Sequence, residues 1–600
     1  MLLELFLICT VLLFSIGAGQ NHLAPVVDLG YELYQGYYDE KYKINAYKGI
    51  RYASPPVGKL RWQVPQPPNQ NRTLIIPALE YAPQCPQSLN SPGPHKPGPS
   101  GSEDCLFVNV FTPANKTNLP VMIWIHGGGY GQANGGFDPS PQIYTNDNTY
   151  IIVTIQYRLG AFGFLSSADL ARSGVPNAGL HDMYFSIQWV QEHIHLFGGD
   201  PEQVTIGGES AGGGAAMLLG MAYGGADNTA LFNGIIATSP FLHSQWEYDS
   251  VMPTEYYYRF AEKVGCLTDG SKTNKSILQC LVSADTVDLQ TASDYVSTTA
   301  PHGQWAFLPV TDGTFIQERP TVQLLGGGRL NGMRVLSASN LNDGPDFTPQ
   351  NITTEDDFKQ LLSTIYPLLS KENITNILEL YNIPQNTSST LVNSNGMHPP
   401  YSTTNSGWAY GWQQAATNLY AEATFACPSY WLSDAYARKR GGKSWHYQFS
   451  VPPGQHGLDL YPLLQPVDIP DTGMDEVFRT ALQRIWGNFV VSGNPTLSDA
   501  QITTEDRGNI SAAGSGVWPR WRAEPGYNWM LNVNMTGGTP TTTGFVIGGV
   551  EINVTSYLSS SDESKPPLIA DFKVAEGSSW EDGRGRRCQL WADLGPWIKE

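Results

Sequence analysis

The stretch VTIGGESAGGGAA, Val204 to Ala216, sets one serine between two glycine clusters directly after a β-branched run. Two readings compete. A stretch rich in glycine, serine and alanine is often a plain turn. Alternatively, Gly208-Glu209-Ser210-Ala211-Gly212 fits G-x-S-x-G, in which a sharp strand-to-helix turn exposes the serine hydroxyl. Five residues alone decide little. The second reading needs a strand before, a helix after, and a histidine, an acid and a set of backbone N–H donors in matching places.

The flanks supply the strand and the helix. VTIGG reads as a short strand and AGGGAAMLLGMA as a helix. Gly208 and Gly212 are expected to permit close strand–helix contact, and Gly213 and Gly214 to give a yielding helix start. VMIWI (Val121–Ile125), IIVTIQY (Ile151–Tyr157), GIIATSP (Gly234–Pro240) and MRVLSAS (Met333–Ser339) read as further strands, with SWHYQFS (Ser444–Ser450) as the last major one. Met183, Ile187, Trp189, Val190 and Ile194 have helical spacing, and Gly198-Gly199 with a turn at Asp200-Pro201 ends that helix. Strands alternating with helices predict an α/β fold whose mostly parallel central sheet has helices on both faces. Ligands of such sheets bind beyond the carboxyl ends of the strands. Helical or loop insertions over about 241–330 and 346–443 are expected to cap that end of a single domain covering 20–600. No internal repeat is present.

Bulk properties narrow the function classes. A chain of 600 residues with 41% hydrophobic content can bury a large core. Its formal net charge of −19 repels phosphate backbones, which argues against nucleic acid as a partner. The opening MLLELFLICTVLLFSIGAGQ, with an apolar run from Leu5 to Ile16 followed by Gly17-Ala18-Gly19, reads as a signal peptide over 1–19 and predicts secretion. That run is short for a bilayer span, which takes about 20 apolar residues. No later stretch reaches that length, and the ending RRCQLWADLGPWIKE has no lipid-anchor signal, so no integral membrane anchor is expected.

Removing the leader leaves Cys85, Cys105, Cys266, Cys280, Cys427 and Cys588, an even number that suits an oxidising compartment. Connectivity stays open, although the two close pairs suggest local loops and leave Cys427 for Cys588. The proline-glycine stretch PGPHKPGPSG would lie inside the first loop. N-x-S/T sequons occur at Asn71, Asn115, Asn274, Asn351, Asn373, Asn386, Asn509, Asn534 and Asn553, so a glycosylated surface is expected. No Cys/His cluster suggests a metal, and no cofactor is implied.

A serine hydroxyl is a poor nucleophile until a base takes its proton. Acyl transfer also develops a negative oxygen that preorganised N–H groups must meet. His126-Gly127-Gly128-Gly129-Tyr130 follows a strand and has no side chains to block its amides, so Gly128, Gly129 and the N–H of Ala211 are the predicted oxyanion donors. The base must come later in the chain. Among His243, His302, His398, His446 and His456, His446 lies inside an alternating strand and His302 and His398 lie in the insertions. His456 follows that strand on a loop and is the choice. The acid should follow MRVLSAS. Asp343 is the choice, with Asp346 as the alternative. The order Ser210, Asp343, His456 is that of α/β-hydrolases.

The chain at this point resembles the type-B carboxylesterase/lipase family, which includes cholinesterases and fungal secreted lipases and esterases. The resemblance runs through AYKGIRYASPPVGKLRW, SEDCLFVNVFTP, WIHGGGY, YRLGAFGFL, NAGLHDMYFSIQWVQEHIHLFGGDP, VTIGGESAGGGAA, FACP and RCQLW. It implies an α/β-hydrolase fold, a Ser-Asp/Glu-His triad, all three cysteine pairs named above, and an ion pair of Arg61 with Glu103 rather than catalysis by Glu103. Two departures stand out. The family acid is usually Glu before Gly, whereas here Asp343 precedes Gly344. The tryptophan with which cholinesterases hold choline is missing between Cys85 and Cys105, so no choline specificity is expected. The implied activity is that of a secreted serine esterase acting on a small-molecule or lipid ester. Acyl transfer in natural-product biosynthesis and a non-catalytic binding or adhesion role are the alternatives. Tyr130, Phe241 and Trp246 are candidates for the cavity lining.

Overall fold

The structure is a computed structural model that describes residues 22–91, 100–267, 276–381, 396–399, 401–466, 474–502, 507–547, 549–558 and 566–600. The expected leader, most of the Pro92–Gly101 loop and the sequons at Asn274 and Asn386 lie outside those residues. In chain order the strands are β1 (His22–Asp28), β2 (Leu33–Asp39), β3 (Ile44–Arg51), β4 (Ile75–Pro77), β5 (Phe107–Pro113), β6 (Leu119–Ile125), β7 (Ile151–Ile155), β8 (Gly199–Glu209), β9 (Gly234–Thr238), β10 (Arg334–Asn340), β11 (Lys443–Phe449), β12 (Trp529–Gly537), β13 (Thr539–Ile547), β14 (Val550–Leu558) and β15 (Leu568–Glu576).

One sheet runs β1-β2-β3-β5-β7-β6-β8-β9-β10-β11-β12-β15, with β4 attached to β2. From β7 to β12 every neighbouring pair is parallel. Antiparallel strands close both flanks. The central strands are apolar along their length because both faces are covered. In β6, Val121, Ile123 and Ile125 enter the core on one face, and Met122 and Trp124 enter the core on the other. That two-residue alternation is what a strand between two helical layers requires.

Most predicted elements are present. The helix Ala178–His193 ends in a short 3-10 turn, and the helix Ala211–Gly225 follows Ser210 directly. Three expectations change. The segment GGDPEQ is not a turn: β8 begins at Gly199, which pairs with Leu119 of β6. SWHYQFS is not the last major strand, since β12 and β15 extend the sheet beyond it. The end of the second insertion is not cap either, because the helix Cys427–Arg438 packs on β10 and β11 as their crossover connection. Between β12 and β15 the chain forms the separate β13–β14 hairpin, whose Ile547 and Val554 pack with Trp408.

Disulfides join Cys85 to Cys105, Cys266 to Cys280 and Cys427 to Cys588. Arg61 and Glu103 form a buried two-pronged pair, Nε to Oε2 at 2.7 Å and Nη2 to Oε1 at 2.6 Å. Arg61 also donates to the carbonyl of Ala284 at 2.7 Å, so the pair braces the N-terminal part of the domain against the first insertion. One sequon is corrected: Asn534 sits in β12 with 4% of its surface exposed, leaving a glycan no space. Asn71, Asn115, Asn351 and Asn553 are exposed, and Asn373 and Asn509 are partly so.

Candidate active site

Ser210 stands where β8 turns into the helix Ala211–Gly225, with φ 57° and ψ −125°. That left-handed conformation costs a non-glycine residue on the order of 1–3 kcal/mol and persists only when its surroundings enforce it. The enforcement comes from the backbone. Ser210 N donates to Thr238 O at 3.0 Å, and Ser210 O accepts from Phe241 N at 2.9 Å and Gly214 N at 2.8 Å.

The glycines around it all lack space for a side chain. A Cβ on Gly208 or Gly212 would lie 2.3 or 2.0 Å from Ile125 O. A Cβ on Gly214 would lie 2.3 Å from Phe241 O and 2.7 Å from the Tyr130 hydroxyl, and one on Gly213 would lie 2.7 Å from Thr238 O. Gly213 and Gly214 are therefore packing positions, not a yielding helix start.

Ile125 ends β6 and leads into the loop of Gly128 and Gly129, which have φ 93° and 62°. A Cβ on Gly129 would meet the Trp305 ring at 2.2 Å. Among the described residues, the N–H groups of Gly128, Gly129 and Ala211 donate to no other group, so all three are free for a ligand.

The chain loops after β10 and β11 bring the acid and the base together. Asn342 and Gln455 form an isolated bridge, with Asn342 N donating to Gly454 O at 2.8 Å. Across it, His456 Nδ1 lies 2.7 Å from Asp343 Oδ1. A carboxylate only accepts, so Nδ1 carries the hydrogen and Nε2 is the basic nitrogen. Asp343 is fully buried and also accepts from Ser239 Oγ at 2.9 Å and Asn340 N at 2.9 Å. Asp346, the alternative acid, instead takes both hydrogen bonds from Gln455 Nε2, each 2.9 Å. The His456 ring rests against Phe425, 4.4 Å between centroids, and Phe347 at 5.1 Å.

Nε2 of His456 is buried without a hydrogen-bond partner, and so makes none to Ser210 Oγ in this structure. It lies 3.1 Å from Glu209 Oε1. A Cβ on Gly127 would be 3.1 Å from both Glu209 Oε2 and Ser210 Cβ, which sets the carboxylate and the serine side by side. Burial alone would lower the pKa of His456, but Glu209, Asp343 and Asp346 outweigh it and raise the value. Burial raises Glu209 as well, against the pull of His456. The two groups compete for one proton and titrate as a pair. Behind them, burial pushes Asp459 up to about 6 despite a hydrogen bond from Asn340.

The other histidines stand apart. His446 is fully buried beside Tyr430 and Trp521, where burial lowers it to about 3. His302 lies in the second half of the first insertion, and His398 in the second. Sequence reading missed Ser239 and Asp459. Ser239 follows the β9 run and Asp459 falls three residues after His456, so position at the ligand-bearing sheet end was the available signal.

A carboxylesterase family model matches residues 28–541, most of the chain. The chain belongs to the carboxylesterase family. Secreted lipase 4 of Gibberella zeae is 32% identical over 422 residues, covering 68% of this chain and 71% of that one. Carboxylesterase patB of Aspergillus clavatus is 28% identical over 523 residues, covering 78% and 88%. Among solved structures, Aspergillus niger EstA superimposes with a TM-score of 0.72 at 26% identity, covering 96% of this chain and 99% of that one. This carboxylesterase is thus an α/β-hydrolase and a carboxylic ester hydrolase of small-molecule esters. Its disulfides and its likeness to a secreted lipase fit an extracellular protein. No helix among the described residues is long and apolar enough to cross a membrane.

Proposed function

We propose that the enzyme hydrolyses carboxylic esters through an acyl-enzyme on Ser210, with His456 as base and Asp343 as the acid that orients it. The reading rests on one observation above the others: the 2.7 Å bond from His456 Nδ1 to Asp343, which leaves Nε2 as the basic nitrogen 3.1 Å from Glu209, the residue before Ser210. His456 Nε2 takes the Ser210 hydroxyl proton as Oγ bonds to the ester carbonyl carbon. The carbonyl oxygen becomes an oxyanion held by the N–H groups of Gly128, Gly129 and Ala211. Collapse breaks the bond to the alcohol oxygen, which leaves with the proton from His456. Water then repeats the sequence on the acyl-enzyme and releases the acid.

Replacing Ser210 by Ala is expected to leave a folded protein that no longer hydrolyses short acyl esters. A fluorinated organophosphonate is expected to label Ser210 covalently in the wild type. Full hydrolysis by the Ser210→Ala protein would sink the assignment, and failure to label would favour a binding role. We also propose secretion through cleavage near Gly19, with glycans on the exposed sequons. Mass spectrometry of protein from the culture medium reads both the new N-terminus and the occupied asparagines.

A further inference from the structure

Of the residues expected to line a cavity, Phe241 and Trp246 do so, and Tyr130, buried against Phe164, does not. That cavity lies toward the carboxyl ends of the parallel strands, since Phe241 follows β9. The opposite end of the sheet has a different character.

There the chain enters β11 through Arg438-Lys439-Arg440-Gly441-Gly442-Lys443 and approaches β12 through Arg520-Trp521-Arg522. The two loops wall a cleft of about 670 Å³. Among the described residues, Arg438, Arg520 and Arg522 line it, and Glu524 is its only acid. Arg438 also lines an adjoining cleft of about 460 Å³, with Arg329, Lys439 and Arg440 and no acid among the described residues. Six cations thus face one carboxylate. In the whole chain the balance is reversed, with 54 acidic residues against 35 basic ones.

These cations are also left without counter-charges. Among the described residues, only Arg438 of the six has an acid partner, Asp434 Oδ2 at 3.2 Å from its Nη2. Asp434 is shared, since its other oxygen accepts from the Trp521 indole at 2.7 Å. Lys439 donates to the carbonyls of Leu330 and Gly332, at 2.5 and 2.6 Å, which hold its charge without cancelling it. All five arginines are exposed. Arg520 lies over the Trp445 ring, 5.4 Å from its centroid, and Arg522 over Tyr527 at 5.8 Å, so aromatic faces hold both guanidiniums in place. Like charges held together repel, and an anionic ligand relieves that repulsion.

The shape of the face narrows the ligand. Guanidinium groups meet carboxylates with two parallel hydrogen bonds. Two clefts in a row suit an extended chain that repeats its charge, and a concave surface does not fit a flat bilayer. Tyr527 and Trp529, in the wall of the larger cleft, offer ring faces to the apolar side of a sugar. Duplex DNA carries one charge per about 1.7 Å, whereas a uronic-acid chain carries one per sugar, so the acidic remainder of the enzyme repels the polysaccharide less. Strand β11 separates the two ends of the sheet by about 23 Å, at about 3.3 Å per residue. A polymer held at this face therefore leaves the Ser210 end open.

We infer that this face binds an acidic polysaccharide, a chain of uronic-acid sugars. The inference stands independently of the Ser210 reading.

The test measures the affinity of the intact enzyme for immobilised polygalacturonate, with dextran as the neutral control. Binding is expected to the acidic polymer alone, and to weaken as salt is added. The double variants Arg520→Gln/Arg522→Gln and Arg438→Gln/Arg440→Gln should each bind at least about tenfold more weakly, through loss of charge-assisted contacts. The Tm and the hydrolysis of a soluble ester should stay unchanged in both, and either pair suffices if the other lowers the Tm. Absence of wild-type binding, or affinity that the variants retain, overturns the inference. Tighter binding to phosphatidylserine vesicles or to duplex DNA overturns it too, by giving the face to another partner.

Discussion

At the scale of single residues, the question is which carboxyl group serves His456. Asp343 Oδ1 touches Nδ1, whereas Asp346 spends both oxygens on Gln455. Asp343→Asn should therefore lower kcat by about 10³–10⁴, because an amide can favour the wrong tautomer. Asp346→Asn should cost less than about tenfold. Steady-state kinetics on one short ester distinguishes the two, and equal losses would contradict the geometry. The acids around His456 also predict a pH effect. A protonated imidazole cannot accept the serine proton, so kcat/KM must rise with pH through the pKa of His456. Glu209 is the largest influence raising that pKa. In Glu209→Gln the acid limb of the kcat/KM profile should move to lower pH, and a shift the other way would refute the coupling.

The positions of Ser210, Gly128 and Gly129 were legible because each sits in a short motif whose geometry is local, and that of His456 because it follows a strand on a loop. The contribution of Ser239 was not. It meets Asp343 only because β9 and β10 are adjacent and parallel, 104 residues apart in sequence. The aromatic walls of His456, Phe347 and Phe425, both come from the β10–β11 connection that also carries Asp343, but from opposite ends of it, and nothing in the sequence around Phe425 marks it as a neighbour.

At the scale of elements, the helix Ala211–Gly225 is fitted to its surroundings along its first turn. Gly214→Ala would drive a methyl group into Phe241 O and the Tyr130 hydroxyl. Overpacking of this kind costs about 1–3 kcal/mol. Denaturant unfolding should show a lower midpoint with an unchanged slope, and an unchanged midpoint would mean the turn can yield after all. The apolar central strands were legible because runs such as VMIWI suit only a strand covered on both faces. β12 was missed because NWMLNVNM mixes polar and apolar residues, and it is parallel strand β11 that supplies one neighbour and antiparallel β15 the other. The start of β8 was missed because Gly-Gly-Asp-Pro is turn chemistry, overridden by pairing with β6.

At the scale of the whole molecule, three covalent links close loops of very different length. Cys427–Cys588 spans 161 positions and Cys266–Cys280 spans 14. If constraint of the unfolded chain dominates, removing the long link should cost about 2 kcal/mol more than removing the short one. Paired Cys-to-Ser variants compared by equilibrium unfolding read this directly. A short-link variant that suffers as much would place the effect in native packing. The long link ties the β10–β11 crossover helix to the C-terminal helix Trp580–Ile598, where Glu422 also holds Arg587 at 2.7 Å.

The carbonyl of Ile125 lies in the hollow left by Gly208 and Gly212. One backbone atom thereby fixes the spacing between the nucleophile and the loop that meets the oxyanion, with no variable side chain taking part. A cavity walled by Trp246, Phe307 and Tyr366 is built from the two insertions. Diversification can therefore rewrite what the enzyme accepts while inheriting the reactive geometry unaltered, and a mutational library confined to those walls should change preference among esters far more often than it abolishes turnover.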